Sequence, residues 1–282
     1  MQTSFTRGYF MRSFQNKVAV ITGAASGLGR ALAIQLNQAG AHLAICDLNM
    51  AGLEETRMLL LNPSLKSTLH LVDVSSREQM QKFAEDVIAH HGQVDVLINN
   101  AGISLTPKFF DDISEEQFEK VINVNLWSVY HGVRAFLPHL RTRPEAGIVN
   151  ISSLAGLVGL PTYAPYVMSK FAVRGFSETL QSELSKTNIS VLVVFPGGVK
   201  TNIIKNAPDL KENEREAAHS SFTKSAMLTA DDAAKRILRA LQKRRKRIIL
   251  GTDAKLFFGI RNLFPNRFPA IFHALFGNAM FK

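Results

Sequence analysis

The sequence has a single cysteine, no recognised metal-ligand spacing such as HExxH among its eight histidines, and no apolar run near the ~18 residues that a membrane span requires. One cysteine excludes an internal disulfide. Cys46, which closes the apolar LAIC, reads as a buried strand thiol and fits a reducing cytoplasm as the expected compartment. The histidines read as surface residues, so no structural metal is expected. Repeats and low-complexity tracts are absent, which excludes solenoids and disordered linkers. Residues 1–16, MQTSFTRGYFMRSFQN, carry Arg7 and Arg12 but interrupt their apolar residues with polar ones and Gly8, so they lack the core of a secretory signal and read as a loosely ordered extension. Charge is sparse, 20% against 46% hydrophobic in 282 residues, which is the composition of one globular domain with a substantial core.

From residue 17 the chain alternates. Short β-branched apolar runs (VAVIT, HLAIC, TLHLVDV, VDVLI, GIVNIS, ISVLVVF and RIILG) are separated by segments of helical period. These end near Gln38, Leu61 and His91, then run from Ser114 to Leu140 and through Ala172. Strands apolar on both faces and joined by helices specify an α/β fold, a doubly wound parallel sheet of about seven strands with helices on both faces. Ligands bind such sheets beyond the carboxyl ends of the strands, so functional residues are expected directly after strands.

VAVIT runs into TGAASGLG, where Gly23, Gly27 and Gly29, with Ser26 and Leu28 among them, occupy a strand-to-helix turn. Glycines there let the backbone approach a pyrophosphate, and the helix N-terminus behind them offers amides and the positive end of its dipole. A tight turn without a ligand can carry the same glycines. Asp47 closes the second strand, where a carboxylate can accept from the ribose hydroxyls of adenosine and repel a 2′-phosphate, or merely cap the next helix. Neither Ser26, Leu48 nor Asn49 supplies a cation for that phosphate, which favours NAD over NADP. Asp73 and Val74 can border an adenine after the third strand. The fourth strand leads into NNAG, where Asn99 and Asn100 can tie strand ends together, with Ala101 and Gly102 completing the floor of the cleft.

The stretch YAPYVMSK sets two tyrosines before one lysine. Four-residue spacing puts Tyr166 and Lys170 on one helix face, whereas Pro165 disfavours helical geometry at Ala164 and leaves Tyr163 ahead of the regular helix. An ammonium ~4 Å from a phenol favours the phenolate by about 4 kcal/mol before desolvation, enough to fit the tyrosine for proton transfer near neutral pH. A surface Tyr and Lys at this spacing are also common.

TGAASGLG, NNAG, Asn125 in NVNL, the ISS ending at Ser153, YVMSK and PGGVKTN share the order and approximate spacing of the short-chain dehydrogenase/reductases. From residue 17 to about 250 the chain resembles the single-domain members of that family. The resemblance implies a Rossmann-like fold, a nicotinamide cofactor and interconversion of an alcohol and a carbonyl by hydride transfer. It implies Tyr166 as general acid/base, and Lys170 lowering the Tyr166 pKa and holding the nicotinamide ribose. Ser153 would bond the substrate oxygen beside a structural Ser152, and Asn125 would kink its helix and hold a relay water. Pro196, Gly197 and Gly198 match the turn under the nicotinamide, with Val199 offering backbone groups to the carboxamide and Thr201 a hydroxyl. Residues 202–228 match the substrate loop, expected to order over ligand. The helices beginning near Ser114 and Tyr166 resemble those that pair family members into homo-oligomers. A non-catalytic NAD(H)-binding regulator or scaffold is the alternative, and the presence of all four catalytic side chains weighs against it.

The net charge of +10 draws half its magnitude from the run Lys243 to Arg247, and no nucleic-acid motif accompanies it, so nucleic acid is not an expected partner. After a domain spanning 17–252, the tail 253–282 repeats phenylalanine at 264, 268, 272 and 276 beside Arg261 and Arg267. That spacing gathers aromatics on one helix face, while Pro265 and Pro269 predict two short helices. The phenylalanines can pack on the core or a partner subunit, wall an apolar pocket, or rest on a membrane surface. The last two readings favour a lipophilic substrate.

Overall fold

The computed structural model describes residue 11 and residues 13–280 except 202 and 227, with the backbone alone at 221, 222, 224, 225 and 276–280. Arg7, Arg12, Asn202 and the Phe276 side chain lie outside the described residues.

Seven parallel strands form one sheet: β1 (Val18–Thr22), β2 (His42–Asp47), β3 (Ser67–Leu71), β4 (Val96–Asn99), β5 (Ala146–Ile151), β6 (Ile189–Pro196) and β7 (Arg247–Leu250). Their order is β3-β2-β1-β4-β5-β6-β7, so the winding reverses between β1 and β4 and opens a crevice at their carboxyl ends. The fold is Rossmann-like, as the alternation of runs predicts. The strands read as unbroken apolar runs because successive residues face different cores. Ala19 and Ile21 of β1, Leu43 and Ile45 of β2 and Val96 and Ile98 of β4 enter one cluster, and Val20, Ala44 and Leu97 enter the other.

The first face is covered by α1 (Gly27–Gln38) and α8 (Ala230–Gln242), through Leu32, Leu36, Ile237 and Leu241. The second is covered by α3 (Arg77–His91) and α5 (Ser128–Arg141), where Phe83 and Phe136 meet edge to face at 5.5 Å. Also on the chain are α2 (Met50–Met58), α4 (Glu115–Ile122), α6 (Ala164–Glu183) and α7 (Arg215–Ser225), with α9 (Thr252–Leu263) and α10 (Phe268–Met280) in the tail.

Three expectations are corrected. Met11 and Phe14, 2% and 3% exposed, belong to the first cluster, so the packed chain begins upstream of residue 17 and the extension is not loose there. The helix expected from Ser114 to Leu140 is interrupted by a π segment at Asn123–Trp127, around which α4 and α5 change register. In the tail, Phe264 does not share the face of Phe268 and Phe272. Phe264 falls in the break between α9 and α10 and is 50% exposed, whereas Phe268 and Phe272 are buried against Leu154, Leu157 and Phe195.

Candidate active site

At the carboxyl ends of the strands lies a cleft of about 680 Å³. Its first wall is the turn after β1. Gly23 has φ +68°, a conformation that favours glycine, and a Cβ there would sit 2.8 Å from Ala101 Cα. At Gly29 a Cβ would stand 2.1 Å from the Gly23 carbonyl oxygen, so α1 packs onto its own entry turn only with glycine at that position. Ser26, Gly27 and Leu28 line the cleft, whereas Gly29 acts behind the lining. Asn100 fixes the turn from below, its Nδ2 donating to the carbonyls of Thr22 and Gly23, each at 3.0 Å. Thr22 Oγ1 accepts from the amides of Asn100 and Ala101 at 3.0 Å each. Asn99 reaches Asn150 Oδ1 at 2.9 Å, and Asn150 reaches Ser177 Oγ at 3.0 Å, a buried polar seam joining β4, β5 and α6.

Asp47 borders the cleft at the end of β2. Its Oδ2 accepts from Ala25 N and its Oδ1 from Asn49 N, both at 3.1 Å, which ties the carboxylate to the glycine turn. Capping of α2 falls instead to Asn49, whose side chain accepts from Gly52 N. Asp73 stands beside the cleft after β3, its Oδ1 accepting from Ser75 N at 2.9 Å and from Ser75 Oγ at 2.6 Å, and Val72 and Val74 line the cleft next to it.

The other wall gathers Ser153, Tyr163, Tyr166 and Lys170. Tyr163 precedes the regular helix α6, and Tyr166 and Lys170 lie on that helix one turn apart. Ser153, at the end of β5, hydrogen-bonds the Tyr166 side chain and accepts from Ala155 N at 3.1 Å. Lys170, 3% exposed, donates to Ile151 O at 3.1 Å, and its Nζ lies 5.6 Å from the Tyr166 ring centroid. Burial pushes the ammonium down to about 8. Burial also raises the Tyr166 phenol, outweighing the Ser153 hydrogen bond that lowers it. The expected depression of Tyr166 by Lys170 is therefore corrected for this cleft: desolvation dominates, and the ammonium is directed to Ile151 O. Ser152 is structural, donating to Lys170 O at 2.8 Å.

Asn125 is fully buried in the π segment and lies behind the lining. Its Oδ1 accepts from Ile103 N at 2.8 Å, and its Nδ2 donates to Ile103 O at 2.9 Å and to Ser169 Oγ at 3.1 Å. Both amide hydrogens are thus taken by protein acceptors. The side chain clamps the chain that follows Gly102.

After β6, Pro196, Gly197, Val199 and Thr201 all line the cleft, as do Ala101 and Gly102 after β4. One residue of this wall lies outside the sequence motifs. Asp253, in the first turn of α9, accepts from Gly198 N at 2.8 Å and lies where a Cβ on Gly197 would collide with it, 2.3 Å away. Nothing in the local sequence marks that aspartate. The remaining lining is largely apolar, with Ile103, Leu154, Leu160, Ile203 and Ile204 beside Ser104, Tyr163 and Asn206.

This geometry has relatives. The short chain dehydrogenase profile matches residues 17–212. SadH of Mycobacterium tuberculosis, an oxidoreductase by name, is 38% identical over 248 residues, 87% of this chain and 90% of that protein. Human estradiol 17-beta-dehydrogenase 11 is 30% identical over 263 residues, 92% of this chain and 83% of its own length. A short chain dehydrogenase/reductase from Burkholderia phymatum, solved in complex with NAD, has a TM-score of 0.81 at 31% identity, covering 89% of this chain and 95% of that one. A metagenomic short-chain oxidoreductase in complex with NADP has a TM-score of 0.70 at 26% identity, covering 84% and 98%.

Proposed function

The chain belongs to the short-chain dehydrogenase/reductase family, and we propose that it is an NAD-dependent enzyme interconverting a lipophilic alcohol and its carbonyl compound, with Tyr166 as general acid and base. The observation that carries this reading is the meeting of Ser153, Tyr166 and Lys170 with the glycine turn and Asp47 around one cleft. A bound nicotinamide would supply the hydride chemistry. Tyr166, whose phenol is held protonated by burial, can donate to a carbonyl oxygen, and Ser153 orients that oxygen toward the same phenol. Lys170, titrating near 8, can take up or release a proton close to neutral pH. Pro196, Gly197, Val199 and Thr201 are assigned to the nicotinamide end, and the Gly23–Gly29 turn to the pyrophosphate.

Preference for NAD is supported by Asp47, and by the commitment of Arg30 on α1. That guanidinium bonds Ala25 O, Thr56 Oγ1 at 3.0 Å and Glu55 Oε2 at 2.8 Å, so it is not free to meet a 2′-phosphate. A lipophilic substrate is supported by the apolar lining, and its likeness to a relative named for estradiol points the same way. We include in this reading a contact of the α9–α10 tail with an anionic membrane surface.

One experiment tests the enzyme reading. NADH and NADPH consumption is followed with long-chain and short-chain aldehydes and ketones, in wild type and Tyr166→Phe. The variant is expected to keep NADH affinity and to lose about 10²- to 10⁴-fold in turnover. Near-normal turnover would remove Tyr166 from its role, and wild-type preference for NADPH would overturn the part given to Asp47. NADH binding without turnover on any substrate would restore the regulator reading.

A further inference from the structure

Three chain segments meet over the apolar part of the cleft: the one after β4 (Ile103, Ser104), the one before α6 (Leu160, Tyr163) and the one after β6 (Ile203, Ile204, Asn206). Among the described residues, the first two are joined by the backbone bond Lys108 N to Thr162 O at 3.0 Å. The third is joined to the first through the side chain of Asp209. Asp209 accepts from Thr106 Oγ1 at 2.5 Å and from Thr106 N at 3.1 and 3.2 Å, and pairs with Lys108 Nζ at 3.1 Å.

This is a built contact. The Asp209 side chain is 2% exposed, so the carboxylate has exchanged water for Thr106 and Lys108. The segment that carries it is wound into successive turns, Ala207 N to Ile204 O at 3.0 Å and Leu210 N to Ala207 O at 3.2 Å, and Ala207 is fully buried. Burial raises the carboxyl pKa, but the Thr106 and Lys108 contacts outweigh it and hold the group below its ordinary range, so it is ionised at neutral pH. No part of the proposed proton chemistry uses Asp209. Through Thr106 and Lys108 it ties the segment of Ile203, Ile204 and Asn206 to the loop that carries Ile103 and Ser104.

We propose that Asp209 is a positioning residue whose carboxylate clasps residues 203–211 to Thr106 and Lys108, and so sets how tightly the cleft holds the alcohol or carbonyl substrate. The proposal rests on the oxidoreductase reading above and adds a residue that governs substrate retention without touching the reacting atoms. The clasp should act on substrate affinity more than on cofactor affinity, because the Asp209 carboxylate bonds Thr106 and Lys108 rather than Asp47 or the glycine turn.

The test compares Asp209→Asn, Thr106→Val and Thr106→Ser with wild type, by two readouts. The first is amide hydrogen exchange of the protein with NADH. Asp209→Asn and Thr106→Val are each expected to speed exchange across 203–211 by about tenfold, the scale of a lost charge-assisted bond. Thr106→Ser, which keeps hydroxyl and amide, should match wild type, and β5 should be unchanged in all three. The second readout is steady-state kinetics with NADH and decanal, or the most active carbonyl probe of the panel above. KM is expected to rise about tenfold in the two disrupting variants, with kcat and NADH affinity within about twofold of wild type. Unchanged exchange in Asp209→Asn would overturn the clasp, and faster exchange with unchanged KM would overturn its role in holding substrate. Failure of wild type itself to turn over any probe would count against the oxidoreductase reading, and the exchange arm alone would then decide the clasp.

Discussion

Lys170 shows the conflict between stability and chemistry at the scale of one residue. Its ammonium is 3% exposed and faces one carbonyl, Ile151 O, and burial lowers its pKa from 10.5 to about 8. The unfolded chain keeps that proton up to pH 10.5 and the folded chain only to about 8, so the unfolded state binds more protons across this window and stability rises with pH through it. Below pH 8 the stability is missing, roughly 3 kcal/mol by the size of the depression. Replacing the charge with an apolar stem of similar length should recover part of it, less about 1–2 kcal/mol for the carbonyl left unpaired. Lys170→Met is therefore expected to raise the thermal midpoint at pH 7 by ~2 °C or more without cofactor, while turnover is lost. Differential scanning calorimetry checks the first part. A lower midpoint would mean that the bond to Ile151 O outweighs the cost of burying the charge.

At the scale of elements, β3 and α3 form the pH-sensitive edge of the sheet. His91, last in α3, contacts Thr68 Oγ1 at 3.0 Å, and His70 on β3 contacts the same oxygen at 2.8 Å. Burial, followed by the neighbouring charges of Lys66 and the other histidines, lowers His91 from 6.5 to about 4, and His70 is lowered by burial as well. The unfolded chain takes up the His91 proton near pH 6.5 and the folded chain only near 4, so stability is complete above 6.5 and is lost as pH falls toward 4. After discounting for partial exposure, about 1 kcal/mol should be gone by pH 5. Urea unfolding at pH 7 and pH 5 is expected to show that loss in wild type and a smaller one in His91→Gln, whose amide can still meet Thr68. Equal losses would remove His91 from the effect. What the sequence discloses also differs from element to element. β1, β2 and β4 were legible because both faces are apolar. That Gly23, Gly27, Asp47, Ser153, Tyr166 and Lys170 gather at one cleft is legible because each stands directly after a strand or at helical spacing. The π segment at Asn123–Trp127 was not, since one extra residue in a turn leaves the apolar pattern nearly intact. Asp209 and Asp253 act across 103 and 55 residues of chain, a separation at which local pattern carries no signal.

Across the whole molecule the positive charge is gathered toward the C-terminal end. Between Lys243 and Leu275 there are eight lysines and arginines against one acid, Asp253, which is engaged with Gly198 N. The tail in this region is not a detachable appendage. Phe268 and Phe272 are 4% and 6% exposed and share a cluster with Leu154, which lines the cleft. What faces outward is the joint between α9 and α10, where Leu263 and Phe264 are 75% and 50% exposed with Arg261 before them and Arg267 after. The proposed membrane contact would place these exposed apolar side chains, bracketed by arginines, at the interface of an anionic bilayer. Each buried side chain there contributes about 1.5–3 kcal/mol and each basic residue near the leaflet about 1 kcal/mol. Cutting the chain at Gly251 would be a poor test, because it removes two core phenylalanines and the Asp253 contact along with the joint. The double substitution Leu263→Ser with Phe264→Ser changes only the exposed pair. Wild type is expected to co-sediment with vesicles containing anionic phosphatidylserine, less so as salt rises and little with neutral phosphatidylcholine alone. The double variant is expected to stay in the supernatant while keeping the wild-type thermal midpoint. Equal sedimentation of the two proteins, or binding indifferent to lipid charge, would refute a membrane contact through this joint.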